Sequence, residues 1–357
     1  MNSILSSNNS IDFEFNFNDN GVNPDNISIL FNFMDTSIEQ FPNFEKLKDF
    51  SKHIVYNFPK AENIRVDNIN IYGTILAPAA KVVLSNINSL NAQIISKELT
   101  ITNSNMEELV VFDGLFHDND GDPITLDLIA GYVRKTQLDS NKTENLLGEP
   151  LIENDSDDET IDNGDDDNDV QEVNNDEDGN VEEVNEDKDN DHNDNVLKKV
   201  DPKPSNLSDY ACKTDDNPLG IVSKFGAFSF GDFLAYNSDV QGRIASKNLV
   251  DVSSYSINEK VYGSNTYKCN QSPLKEDFQF SVVASTVKII NSHLYNGGIA
   301  YTNNVDQTDE SLKTSIISNG CSITNDSSII DFDTVESQMN YLSENLAKLE
   351  DNGAVNK

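Results

Sequence analysis

The sequence lacks the residues and segments on which several classes of function depend. It has no tryptophan and only three arginines among its 357 residues. No apolar run reaches the roughly 18 residues that a membrane-spanning helix needs, and residues 1–10 lack the basic and apolar stretches of a secretory signal. The net charge of −37 opposes binding to nucleic acid or to an anionic membrane, because like charges repel. We therefore expect no nucleic-acid partner and no membrane insertion.

The recognisable catalytic motifs are also missing. There is no phosphate-binding loop of the GxxxxGK[ST] kind. Ser229, between Gly226 and Gly231, lies one residue too far along for a nucleophile elbow, and its surroundings are strand-like. The four histidines lack the spacing of metal ligands: His53, His117, His192 and His293. The sequence predicts that the chain is not an enzyme and has no cofactor.

Cysteine is scarce, with one residue each at positions 212, 269 and 321. An odd number excludes complete pairing within the chain. Two states remain open: one disulfide and a free thiol if the chain is secreted, or three buried thiols.

The acidic charge is concentrated in one segment. Between Glu153 and Asp194 there are 21 acidic residues and one lysine. Such a segment buries too little apolar surface to offset the entropy of ordering, so the sequence predicts disorder over 153–195. The resulting divisions are a β-rich segment at 8–116, an acidic linker at 117–205 and a second β-rich segment at 206–353.

Short alternating apolar stretches in both segments indicate strands. They are separated by Asn, Ser or Gly, and asparagine tolerates the left-handed backbone of tight corners. Such closely spaced strands favour a coiled ladder. Near the end, Val335, Met339, Leu342 and Leu346 recur at helical spacing. The sequence therefore predicts a mainly β, solenoid-like ladder with one long amphipathic helix alongside, interrupted by the disordered linker.

Signals at its two ends set the expected limits of this helix. Asp333 with Glu336 resembles a capping box, and Gly353 stands where a glycine ends a helix. The helix is thus predicted to begin near Asp333 and to run to about Leu349.

Two short runs carry candidate binding chemistry. The aspartates of the first, Asp118, Asp120 and Asp122, resemble a calcium loop, but Phe116 occupies the first ligand position. We interpret the run as a solvated turn and expect only weak calcium binding along the acidic linker. In the second run, Arg243 follows Asp239 by four residues, a spacing that predicts a turn held by an ion pair.

Several motifs together resemble the choice-of-anchor A family. Residues 217–220, 230–232 and 237–243 look like the family's opening strands, and residues 55–59 and 73–78 look like its later strands. Ser246-Lys-Asn248 replaces the family's Gly-Gly-Asn turn. The resemblance implies a non-enzymatic microbial surface protein, built as a β-solenoid with a helix alongside. Motif residues expected to be structural are Gly231, Asp232, Asn237, Asp239, Gly242, Arg243, Asn57, Pro59 and Pro78.

The motifs occur in permuted order, with the later strands first. We therefore expect either a circular permutant or a slice of a tandem array, in which unpaired halves promote self-association. The implied function is structural or adhesive, at an extracellular or cell-wall site, with a cell-wall or matrix polymer as partner. A fragment or a cytoplasmic protein stays open, since no signal peptide is recognised. The alternatives are an ice- or surface-binding protein, for which only Thr100 and Thr102 form a Thr-x-Thr pair, and a carbohydrate-active enzyme.

Overall fold

The computed structural model describes residues 28–39, 41, 45–105, 110–114, 116, 217–263 and 265–349. The chain divides into two units, residues 1–139 with 206–357 and residues 140–205, and every described residue belongs to the first. The predicted disorder at 153–195, the aspartates at 118, 120 and 122, and Gly353 lie outside the described residues.

The described residues form one 13-stranded sheet in which all the pairings are parallel. The predicted mainly β class is therefore confirmed. The strands are β1 Ile29–Asn32, β2 Ser37–Ile38, β3 Ile54–Asn57, β4 Asn63–Asp67, β5 Ile71–Ser85, β6 Leu90–Thr102, β7 Phe225–Ser229, β8 Asp232–Val240, β9 Arg243–Ile257, β10 Phe280–Ile290, β11 His293–Leu294, β12 Gly298–Asn304 and β13 Ile323–Asn325.

Helices are few in the described residues. The α-helices are α1 Glu310–Ser318 and α2 Phe332–Leu346, and 3₁₀ helices cover Glu45–His53, Gly220–Lys224 and Leu274–Glu276.

The strands stack as successive turns of a coil. Ile71 aligns with Leu90 and Lys81 with Glu98, so one uninterrupted turn takes 17 to 19 residues. β5 is 15 residues long, longer than the sequence suggested, because it continues through a register shift after Ala77. Its two halves therefore belong to two different faces of the coil.

These faces differ in what lies over them. The covered face consists of β1, β3, β7, β12, β13 and the first halves of β5, β6, β9 and β10. The open face consists of β2, β4, β8 and the second halves of the same long strands. β6 pairs with β7 on the covered face and with β8 on the open face. Strands on either side of residues 103–224 thus share one sheet.

Two apolar clusters fill the molecule. One lies inside the coil and contains stacked aromatic rings. The ring centroids of Phe31 and Tyr56 are 5.6 Å apart, and those of Phe33 and Phe58 are 4.7 Å apart. The other lies between the covered face and α2 and includes Leu76, Ile95, Phe228, Ala245, Val283, Val335, Met339, Leu342 and Leu346. The four apolar side chains predicted for the helix are all buried here.

The ends of α2 correct the predicted limits of the helix. Its N-cap is Asp331, whose carboxylate accepts a hydrogen bond from Thr334 N at 3.1 Å. Asp333 instead lies in the first turn and pairs with Lys247 at 2.6 Å, a bond that raises the pKa of Lys247. The helix ends at Leu346, whose carbonyl, one of those left without an intrahelical donor, accepts a hydrogen bond from the Asn32 side chain at 2.9 Å.

Candidate ligand-binding face

One row of residues marks the corner at which each turn leaves the open face. Their backbones lie in the left-handed region, with φ from 47° to 56°, where asparagine is tolerated best. The neighbouring strand residues pair in register from turn to turn, so the six stand in line. This corner row is exposed and consists of Asn68, Asn86, Asn103, Asn237, Ser254 and Asn291.

The open face presents three columns of half-buried or exposed side chains beside that row. The residues between them in sequence, such as Ile64, Val82 and Leu84, are buried inside the coil. From the far edge to the corner row, the columns are Asn63–Lys81–Glu98–Asp232–Leu249–Thr286, Arg65–Val83–Thr100–Leu234–Asp251–Lys288, and Asp67–Ser85–Thr102–Tyr236–Ser253–Ile290.

Charge is distributed unevenly over these columns. Ion pairs join Lys81 to Glu98 at 2.9 Å and Lys288 to Asp251 at 3.0 Å, so those cations neutralise neighbouring carboxylates. The hydroxyl side chains Thr100 and Thr102 lie beside Leu234 and Tyr236 on the next strand. The middle of the open face therefore combines hydroxyl, aromatic and aliphatic groups without a charge.

Sequence analysis missed Thr102, Tyr236 and Ser253 as a set. Thr102 and Tyr236 are far apart in the chain because residues 103–224 interrupt the regular turn. Their signal is an outward-facing strand position directly before a corner residue, which becomes visible only once the register is known.

The glycine-aspartate motif shapes a tight bend between β7 and β8. A side chain at Gly231 would place its Cβ 2.7 Å from the carbonyl oxygen of Lys97, so only glycine fits. Asp232 is half-buried in an outward column, and its backbone carbonyl accepts a hydrogen bond from the Ser229 hydroxyl at 3.1 Å. Gly231 therefore allows the bend to approach the backbone of β6 closely.

The turn around Arg243 is held differently from the prediction. Gln241 donates to the Asp239 carboxylate, next to the buried Gly242. Arg243 pairs with Asp277 instead, at 2.8 Å. The prediction of an Asp239–Arg243 pair is wrong because Asp239 aligns with Ser256 whereas Arg243 aligns with Phe225, at separate positions of the coil.

Arg243 lies at the centre of a buried polar cluster. It is 2% exposed, and its guanidinium also donates to the Tyr262 hydroxyl at 3.2 Å. Burial favours a higher pKa for Asp277, but Arg243 and hydrogen bonds from Phe278 N and Tyr262 outweigh it, so the pKa is lowered. Burial raises the pKa of Tyr262. These contacts attach the stretch between β9 and β10 to the ladder.

The remaining motif residues lie in or just after β3 and in β5. Asn57 is fully buried, and its side-chain amide donates hydrogen bonds to the Ser343 carbonyl at 2.8 Å and to Asn32 Oδ1 at 2.7 Å. Pro59 is half-buried in the turn after β3, and Pro78 is buried at the register shift of β5. Asn57 thus joins the last turn of α2 to the covered face.

The structure describes Ser229 and two of the four histidines. Ser229 is fully buried, and its hydroxyl bonds the carbonyls of Lys97 and Asp232. His53 ends a 3₁₀ helix and His293 begins β11, whereas His117 and His192 lie outside the described residues. Among the described residues no group of three or more His, Cys, Asp or Glu is placed to hold a metal ion.

The cysteines resolve to a disulfide and one residue outside the described part. Cys269 and Cys321 are bonded, while Cys212 is not described. The disulfide joins the stretch between β9 and β10, which also carries Asp277, to the turn after α1.

Comparison with known proteins now gives the family. A family model described as an Ice-binding-like adhesive domain matches residues 2–108 and 218–357. The chain belongs to this family. The match covers both β-rich segments of the chain and leaves out residues 109–217, which include the acidic stretch. No curated protein and no solved structure matches the chain. Within the described ranges, none of the helices has the length and apolarity needed to span a bilayer.

Proposed function

We propose that this member of the ice-binding-like adhesive family is a non-catalytic adhesion module, and that its open face holds the surface polymer to which it adheres. The observation that carries the proposal is the contrast between the two faces. Outward side chains of the covered face are buried by α2, whereas the corresponding columns of the open face are half-buried or exposed. A broad and regular sheet surface suits an extended polymer better than a small molecule.

We further propose that the module acts outside the cell, in keeping with the resemblance to choice-of-anchor A proteins. The Cys269–Cys321 disulfide supports this location, since disulfides persist mainly in oxidising compartments. The adhesive family description supports it as well.

Ice is the second candidate ligand, because the family is described as ice-binding-like. A regular Thr-x-Thr ladder would favour it, but Thr100 and Thr102 align with Leu234 and Tyr236 on one side and with Val83 and Ser85 on the other. We therefore expect no thermal hysteresis at micromolar protein. A measurable difference between the melting and freezing temperatures, together with faceted ice crystals, would favour ice over a polymer as the ligand.

Adhesion is tested with beads coated with the full chain. They are presented to particles of chitin, cellulose and peptidoglycan and to immobilised collagen, and retention under flow is counted. Thr100→Lys puts a charge in the middle of the open face, and Ser337→Lys puts the same charge on the exposed side of α2. We expect retention on at least one surface, lost in Thr100→Lys and kept in Ser337→Lys. Equal retention of both variants, or none by the unmodified chain, would contradict the proposal.

A further inference from the structure

The corner row and the column beside it are bonded internally at both ends. At one end the Asp67 carboxylate accepts hydrogen bonds from Ser85 at 2.7 Å and Asn86 at 2.8 Å, which lower its pKa. At the other end Asn291 donates to the Ser254 hydroxyl at 3.2 Å, and its backbone N–H donates to Asp309 at 2.6 Å. Asp67, Ser85, Asn86, Ser254 and Asn291 therefore already make hydrogen bonds within the protein.

The middle of the same surface is different. Its side chains are Thr102, Asn103, Tyr236, Asn237 and Ser253, here called the central patch. None of their side chains hydrogen-bonds to another described residue, and all five are half-buried or exposed. The patch therefore offers two amides, two aliphatic hydroxyls and a phenol to a ligand.

These groups have the mixed character that sugar hydroxyls require. Each amide both donates and accepts, and each hydroxyl does the same, so together they can meet groups that also donate and accept. The Tyr236 ring supplies an apolar surface and a polar tip at a single position. Adjacent strands repeat the arrangement at about 4.8 Å.

We infer that the central patch binds a neutral polysaccharide strand that runs along the coil axis, across the β-strands. This inference rests on the proposed adhesive function and names its ligand class. The net charge of −37 disfavours an anionic polymer. An extended peptide would bind by adding to a sheet edge, whereas the patch lies on strands already paired on both sides, β6, β8 and β9.

The structure permits variants that remove side chains without straining the corners. Asn103 and Asn237 have φ of 49° and 51°, which glycine adopts freely. The test protein is therefore Asn103→Gly/Asn237→Gly, and the matched control is Asn68→Gly, at φ 56° in the same row but beyond the bonded end. Tyr236→Ser removes the ring, and Tyr236→Phe keeps it.

Binding is measured by affinity electrophoresis of the full chain in gels containing dextran, laminarin, soluble starch or hydroxyethyl cellulose, with hyaluronate as the anionic comparison. We expect retardation by at least one neutral polymer and none by hyaluronate. The double glycine variant and Tyr236→Ser should bind at least about tenfold more weakly, roughly the loss of one or two hydrogen bonds. Asn68→Gly should bind as the unmodified chain does, and Tyr236→Phe should retain most of the affinity.

Three results would overturn the inference. They are no retardation by any of the neutral polymers, undiminished retardation of the double variant, and a changed elution volume of the double variant in size-exclusion chromatography, which would make the patch an interface between copies. Bead adhesion that persists on collagen would then leave the adhesive function standing without a polysaccharide ligand.

Discussion

The covered and open faces are built from the same long strands, but their outward side chains serve different purposes. In β5 and β6, Leu76 and Ile95 point out of the coil beneath α2, and a few residues later Val83 and Thr100 point out toward solvent. Pairing and inner core are alike on both faces. The difference therefore lies in the outward positions, which stabilise the fold on one face and are available for binding on the other.

The largest expected difference comes from two leucines. Leu342 is 1% exposed between α2 and the covered face, and Leu342→Ala should cost about 2–5 kcal/mol, since it opens a cavity. Leu234→Ala, on the half-exposed open face, should cost under about 1 kcal/mol. Urea unfolding of both variants measures the contrast. Equal losses of unfolding free energy would mean that packing against α2 does not stabilise the covered face.

The ion pairs offer a second comparison. Asp277→Ala leaves the buried Arg243 side chain without its carboxylate partner and should cost about 3 kcal/mol. Asp251→Ala removes the partner of Lys288, which is 32% exposed, and should cost about 1 kcal/mol or less. Urea unfolding of both variants measures the two losses. A larger loss for Asp251→Ala than for Asp277→Ala would contradict the burial of Arg243.

Acid should weaken the contribution of the Asp277–Arg243 pair to stability. The pKa of Asp277 is lowered in the folded protein, so the unfolded state binds a proton first as the pH falls. Stability from this pair is therefore complete above the ordinary value of 3.8 and is lost as the pH falls from there through the folded pKa. The gap in unfolding free energy between the unmodified chain and Asp277→Asn should be constant from pH 5.5 to 7 and narrow below about pH 4.

A buried amide and a half-buried hydroxyl give the next contrast. Asn57→Ala leaves the Ser343 carbonyl without its donor and should cost about 1–3 kcal/mol. Thr102→Ala, on the open face, should stay within about 0.5 kcal/mol of the unmodified chain. Differential scanning calorimetry of the two variants measures both losses of stability. A large loss for Thr102→Ala would indicate that the central patch serves the fold.

The last comparison sets the small effect of Tyr236→Ser on stability against its larger effect on binding. Because Tyr236 is half-buried on the open face, its loss should shift the unfolding free energy by less than about 1 kcal/mol while reducing polysaccharide binding. If Tyr236→Ser lost both stability and polysaccharide binding, the central patch would be part of the fold rather than a binding site.

Local patterns were predicted well and distant partners were not. Asparagines at corners and apolar residues along α2 follow from backbone tolerance and helical period, which depend on neighbours in sequence. The cap of α2 was misplaced by two residues because Asp331 and Asp333 look alike until the hydrogen bond to Thr334 is known. The partner of Arg243 lies 34 residues away, and that of Asn57 lies 286 away. Only the coil brings these residues together, so no short spacing could reveal them.

The place at which the coil is interrupted has a consequence for how such a chain can vary. Leu99 aligns with Phe233 as neatly as Lys81 aligns with Glu98, although the first connection is about eight times longer than the second. Closing a longer connection costs entropy only with the logarithm of its length, about 2 kcal/mol for an eightfold increase. A corner of the coil can therefore gain or lose a long segment while the rows of side chains on either side keep their spacing. Length at a corner and recognition on a face can change independently of each other.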